Sequence, residues 1–137
     1  MDLYPSVWQQ IADLIESRRA ISPDEVLHEL KSKSDEVYDW CRIRNGETPF
    51  FLPLEEHVQL ATAEILEAFP KLVDDRPGKG QADPFVIGLA RVKGATVVTE
   101  ERKTGSNKRP KIPEACHHFG VGCIDLVAMM RAENWRF

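Results

Sequence analysis

Asp83, Glu101, Glu25 and Glu29 are the residues of this sequence best suited to chemistry by type and position. Carboxylate oxygens are what Mg²⁺ or Mn²⁺ takes as ligands, with water and a phosphate oxygen completing the octahedron. Asp83 precedes Pro84 at the start of a helical stretch. Glu25 and Glu29 are one turn apart on an earlier helix, so they share a face. Thr99, Glu100 and Glu101 follow directly on the β-branched run Ala95-Thr96-Val97-Val98-Thr99. In an open parallel sheet, functional groups collect beyond the carboxyl ends of the strands, which is where these three residues belong. Arg102, Lys103, Lys108, Arg109 and Lys111 then form a basic cluster within ten residues, a rim able to contact phosphates.

Each of these residues also has a structural reading. Asp83 is placed to cap its helix and Glu25 to close a capping box with Ser22. Glu29 suits a solvated helix face, Glu100 and Glu101 the start of a charged loop, and the basic cluster a solvated one. Cys116-His117-His118 and Cys123 do not have the spacing of a zinc finger, so they read as buried thiols and helix-end histidines. Trp40 and Trp135 read as packing residues.

The composition allows a folded catalytic domain and argues against other classes. Hydrophobic residues are 42% and charged residues 29% of 137, enough for one core and one domain spanning 1–137. No apolar run is long enough to span a bilayer, and the first residues lack the pattern of a secretory signal. Three cysteines in apolar patterns fit reduced thiols, hence a cytoplasmic setting without a disulfide framework. A net charge of −4 disfavours a protein that coats nucleic acid but does not exclude a nuclease, whose metal-binding carboxylates are themselves acidic.

The elements that must position these groups alternate between helix and strand. Val7, Ile11, Leu14 and Ile15 predict a first amphipathic helix. A short strand is expected at 19–22, and Ser22-Pro23-Asp24-Glu25 reads as the N-cap and first turn of a second helix. A third helix runs through Val37, Trp40, Cys41 and Ile43 and stops near Asn45-Gly46. Phe50-Phe51-Leu52, between prolines, predicts a brief edge strand, and Val58 to Phe69 a fourth helix. Residues 74–81 form a loop. The second half predicts a helix from Asp83 as N-cap to Gly94, a buried strand 95–99, a helix 113–119 ending at Gly120, a buried strand 121–126 and a last helix. The fold class is therefore α/β with a mostly parallel sheet.

In order and spacing, these segments resemble the PIN-domain ribonucleases, and the chain as a whole looks like a PIN-like branch known only as a domain of unknown function. The resemblance is carried by Ala82-Asp83-Pro84-Phe85-Val86-Ile87-Gly88-Leu89-Ala90, Gly94 to Glu101, Lys111 to Cys116, Gly122 to Leu126, and the early Ile21 to Leu30. It implies a three-layer PIN-like domain around a central sheet. It implies a metal-dependent endoribonuclease using Mg²⁺ or Mn²⁺, of the kind that serves as the toxin of a bacterial toxin–antitoxin pair. RNA is then the substrate and an antitoxin protein a partner. Asp83, Glu101 and Glu29 take the metal-ligand and catalytic positions, with Glu25 the second choice to Glu29, and Thr99 orients a carboxylate or water. Arg102, Lys103, Lys108, Arg109 and Lys111 would bind the RNA backbone. The chain departs from the pattern at its start: the family's first strand, which carries an aspartate, has no counterpart, and Met1-Asp2-Leu3-Tyr4-Pro5 resembles the segment after it. Two alternatives follow: a catalytically inactive PIN-like module binding a protein or RNA, and a strand-sharing homodimer that fills the gap.

Overall fold

The structure is a computed structural model and describes residues 5–33, 35–73, 80–102 and 111–136. The chain is α/β and mostly helical, with two small parallel sheets among the described residues. The chain divides into two compact units, one of residues up to Pro53 with Arg136, the other Leu54–Trp135. No helix among the described residues is long and apolar enough to cross a membrane.

The first unit contains α1 (Pro5–Glu16), β1 (Ser22–Pro23), α2 (Asp24–Lys33), α3 (Asp35–Glu47) and β2 (Phe51–Leu52). Its core gathers Ile15, Cys41, Phe50 and Phe51, with Ile11, Val26, Leu27 and Trp40 packed against them. β1 and β2 pair in parallel, Ser22 opposite Phe51 and Pro23 opposite Leu52. That pairing corrects the capping-box expectation. Ser22 is in a strand, its N–H donates to the Phe50 carbonyl at 2.9 Å, and its hydroxyl donates to the Pro23 carbonyl. The helix begins two residues later at Asp24, because a ladder bond to β2 replaces the cap. Asn45 remains inside α3, and its side-chain oxygen accepts the N–H groups of Phe50 and Phe51, both at 2.9 Å, which fixes the entry into β2.

The second unit contains α4 (Glu56–Ala68), a 3-10 turn (Pro70–Leu72), α5 (Asp83–Lys93), β3 (Val97–Val98), α6 (Ile112–Phe119), β4 (Cys123–Ile124) and α7 (Leu126–Ala132). Ile65, Ile87, Ala115 and Cys116 lie at the centre of its core with no exposed surface, and Leu72, Ala90, Val97 and Ile112 surround them. α4 and α5 pack closely because Gly88 carries no side chain: a Cβ there would strike Thr62 Oγ1. Gly94 and Gly120 end α5 and α6 at φ of 65° and 69°, the left-handed conformation that glycine adopts without steric penalty.

β3 and β4 are parallel, Val97 opposite Cys123 and Val98 opposite Ile124. Both strands are shorter than the β-branched runs suggested. Cys123 is half-buried rather than buried, and Asp83 is the first residue of α5, with Ala82 at the N-cap. The two strand pairs are separate sheets among the described residues, so the expected single central sheet is not formed there.

Candidate functional site

The carboxyl ends of β3 and β4 bring together Thr99, Glu100, Glu101 and Asp125. The Thr99 N–H donates to the Ile124 carbonyl at 3.0 Å, so the parallel pairing runs to the last residue before the acidic segment. The Glu101 N–H donates to Thr99 Oγ1 at 3.1 Å. This turn, closed by a hydroxyl two residues back, sets the direction in which Glu101 leaves the strand.

Both glutamates are held by the starts of helices that follow much later in the chain. Glu101 Oε2 accepts the Ile112 N–H at 3.1 Å, at the first position of α6. Glu100 Oε1 accepts the Leu126 N–H at 2.9 Å, at the first position of α7. A helix start exposes N–H groups that have no partner within the helix, and its dipole favours negative charge there. Pro113 and Pro84 each lie within the first turn of their helices. Asp125, the N-cap of α7, accepts the Ala128 N–H at 2.8 Å. The sequence reading did not single out Asp125, although its signal was present: a carboxylate directly after a strand and before an apolar helix.

The remaining candidates are placed as follows. Asp83 is half-buried at the start of α5, its N–H donating to the Gly80 carbonyl at 3.3 Å. Glu25 and Glu29 lie on α2 of the first unit and are partly exposed. Of the basic cluster, Arg102 and Lys111 are exposed, while Lys103, Lys108 and Arg109 lie outside the described residues. Of the loop expected at 74–81, residues 74–79 also lie outside them.

The donor chemistry fits a hard divalent cation, since every candidate offers carboxylate oxygens. A ligating carboxylate is commonly held through one oxygen by a hydrogen bond, as Glu101 is by Ile112. Glu25 Oε2 is buried with no hydrogen-bond partner among the described residues, an orphaned oxygen of the kind a cation would satisfy. Among the described residues, however, no three His, Cys, Asp or Glu side chains are grouped to hold a metal ion. Two shallow surface grooves of the second unit, about 280 and 290 Å³, are lined by residues such as Leu60 and Arg91 or Thr96 and Phe119, and neither is lined by a candidate carboxylate.

Fold and site define a mostly helical α/β protein with acidic side chains gathered beyond a parallel strand pair. The chain belongs to the family described as domain of unknown function DUF4411, whose family model matches residues 1–137. No curated protein and no solved structure matches the chain.

Proposed function

We propose that this chain is a PIN-like, metal-dependent ribonuclease, of the kind used as the toxin of a bacterial toxin–antitoxin pair. The observation that carries the reading is the Thr99–Glu101 turn: the threonine hydroxyl accepts the backbone N–H of the glutamate two residues on, at the carboxyl end of a parallel strand. Resemblance to the PIN ribonucleases in the order of segments supports the same assignment and a three-layer PIN-like architecture. In the second unit, Asp83 and Glu101 are the residues that would hold Mg²⁺ or Mn²⁺. When bound, the cation supplies Lewis acidity that lowers the pKa of a water for attack on a phosphodiester. Thr99 keeps Glu101 in position, and the exposed Arg102 and Lys111 contribute positive charge for an RNA backbone. The test is cleavage of a mixed RNA substrate by purified protein with Mn²⁺. Activity abolished by EDTA and by Asp83→Ala supports the proposal. Activity unaffected by either removes the metal mechanism.

A specific observation favours a second reading, a PIN-like module that binds RNA or a protein partner without cleaving. Glu100 and Glu101 both accept backbone N–H groups at helix starts, a structural role that accounts for their positions without a metal. Under this reading, RNA is retained in a filter-binding assay, no cleavage occurs with Mn²⁺, and Mn²⁺ leaves the melting temperature unchanged.

A further inference from the structure

The three cysteines have different surroundings. Cys41 is buried in the core of the first unit. Cys116, on α6, has no exposed surface, and the half-buried Cys123 on β4 packs against the cluster that contains it. The connection between them is a tight reversal. Gly120 takes φ of 69°, and the Val121 N–H donates to the Cys116 carbonyl at 2.8 Å, which brings β4 back along α6. Cys123 is the neighbouring sulfur that acts on the Cys116 thiol.

We propose that Cys116 and Cys123 form an oxidation-sensitive dithiol that closes into a disulfide between α6 and β4 when a peroxide reaches Cys123. Cys123 is the point of entry because it is the partly exposed member of the pair. Its sulfur attacks the O–O bond of hydrogen peroxide and becomes a sulfenic acid, and one water is released. The Cys116 sulfur then attacks the sulfenic sulfur. An S–S bond forms, the S–OH bond breaks, and the Cys116 thiol proton leaves with the hydroxyl as a second water. Two thiols are oxidised by two electrons in total and one peroxide is reduced to two waters. Burial, with the neighbouring Cys123 sulfur, pushes the Cys116 thiol up to about 12, so at neutral pH it stays protonated and is not the first target.

The test uses the native full chain treated with hydrogen peroxide, then denatured and alkylated with iodoacetamide for intact-mass and peptide analysis. The expected product has lost two hydrogen atoms, keeps one alkylatable thiol at Cys41, and yields a peptide with an internal Cys116–Cys123 cross-link that gains two hydrogen atoms on reduction with dithiothreitol. Cys41→Ser should retain that cross-link, and Cys123→Ala should abolish it. Three alkylatable thiols after peroxide treatment would overturn the proposal. So would Cys123 passing on to sulfinic acid while Cys116 stays free, or a cross-link that includes Cys41.

Discussion

Glu101 and Ile112, 11 residues apart in sequence, are joined directly: Oε2 of the glutamate accepts the first N–H of α6 at 3.1 Å. The carboxylate acts as a helix cap supplied from the end of a strand. Replacing it with alanine should cost about 0.5–2 kcal/mol, the usual loss for a removed cap. Glu101→Gln keeps an acceptor oxygen and should cost less in urea unfolding. If Glu101 also holds a cation, Glu101→Gln should lose the rise in melting temperature that Mn²⁺ gives the parent protein. An equal Mn²⁺ response in both would leave Glu101 as a cap alone.

The start of α7 depends on two carboxylates. Asp125 takes the Ala128 N–H and Glu100 the Leu126 N–H, so each satisfies a different donor of a helix only 7 residues long. Asp125→Ala should destabilise by roughly 0.5–2 kcal/mol. Glu100→Ala should cost a similar amount, because both hydrogen bonds are exposed to solvent. The double variant should lose helical circular dichroism as α7 frays, and unchanged ellipticity would show that packing alone holds this helix.

Gly88 sets the closest approach of α4 and α5. An added Cβ meets Thr62 Oγ1 and also lies 3.2 Å from the Thr62 backbone nitrogen, which cannot rotate away. Gly88→Ala should therefore destabilise by about 1–3 kcal/mol, despite the better helix propensity of alanine. Thr62→Ala should recover only part of that loss in chemical denaturation, since the backbone contact remains. Full recovery would place the whole conflict in the side chain.

Stability should fall in alkaline solution. Burial, with Cys123 beside it, raises the Cys116 thiol from its ordinary 9.0 to about 12, and burial also raises Cys41. Between those values the folded chain holds a proton that the unfolded chain has lost. The contribution of Cys116 is thus complete below 9.0 and is lost as pH rises towards about 12. The slope for one such thiol reaches about 1.4 kcal/mol per pH unit. Urea midpoints measured from pH 8 to 11 should decline, and Cys116→Ala should decline less steeply. Parallel profiles would assign the alkaline loss to other groups.

Each sheet has an open side among the described residues, where β3 pairs only with β4 and β1 only with β2. Val98 is 42% and Ile21 37% exposed beside these strands. Parallel strands are usually covered and hydrogen-bonded on both sides, so a strand-sharing dimer is the expected assembly. Light scattering on a size-exclusion column should give the mass of two chains, and a single-chain mass across concentrations would exclude it.

What the sequence determined by itself is local. Pro84 and Pro113 near helix starts and Gly94 and Gly120 at helix ends are legible because they act on their own backbone torsions. The apolar spacing of Val58, Ala61 and Ile65 likewise identifies the buried face of α4. The tertiary structure decided what depends on distant partners. Ser22 reads as a helix cap until β2 offers it a parallel neighbour, and a β-branched run from 95 to 99 gives a strand only at Val97–Val98, where β4 pairs with it. The candidate carboxylates show the same division. Their position after β3 could be read from the sequence, but Glu101 meets a donor 11 residues on and Glu100 one 26 residues on. No local pattern encodes those bonds, because they exist only once α6 and α7 are packed with their first N–H groups towards the end of β3.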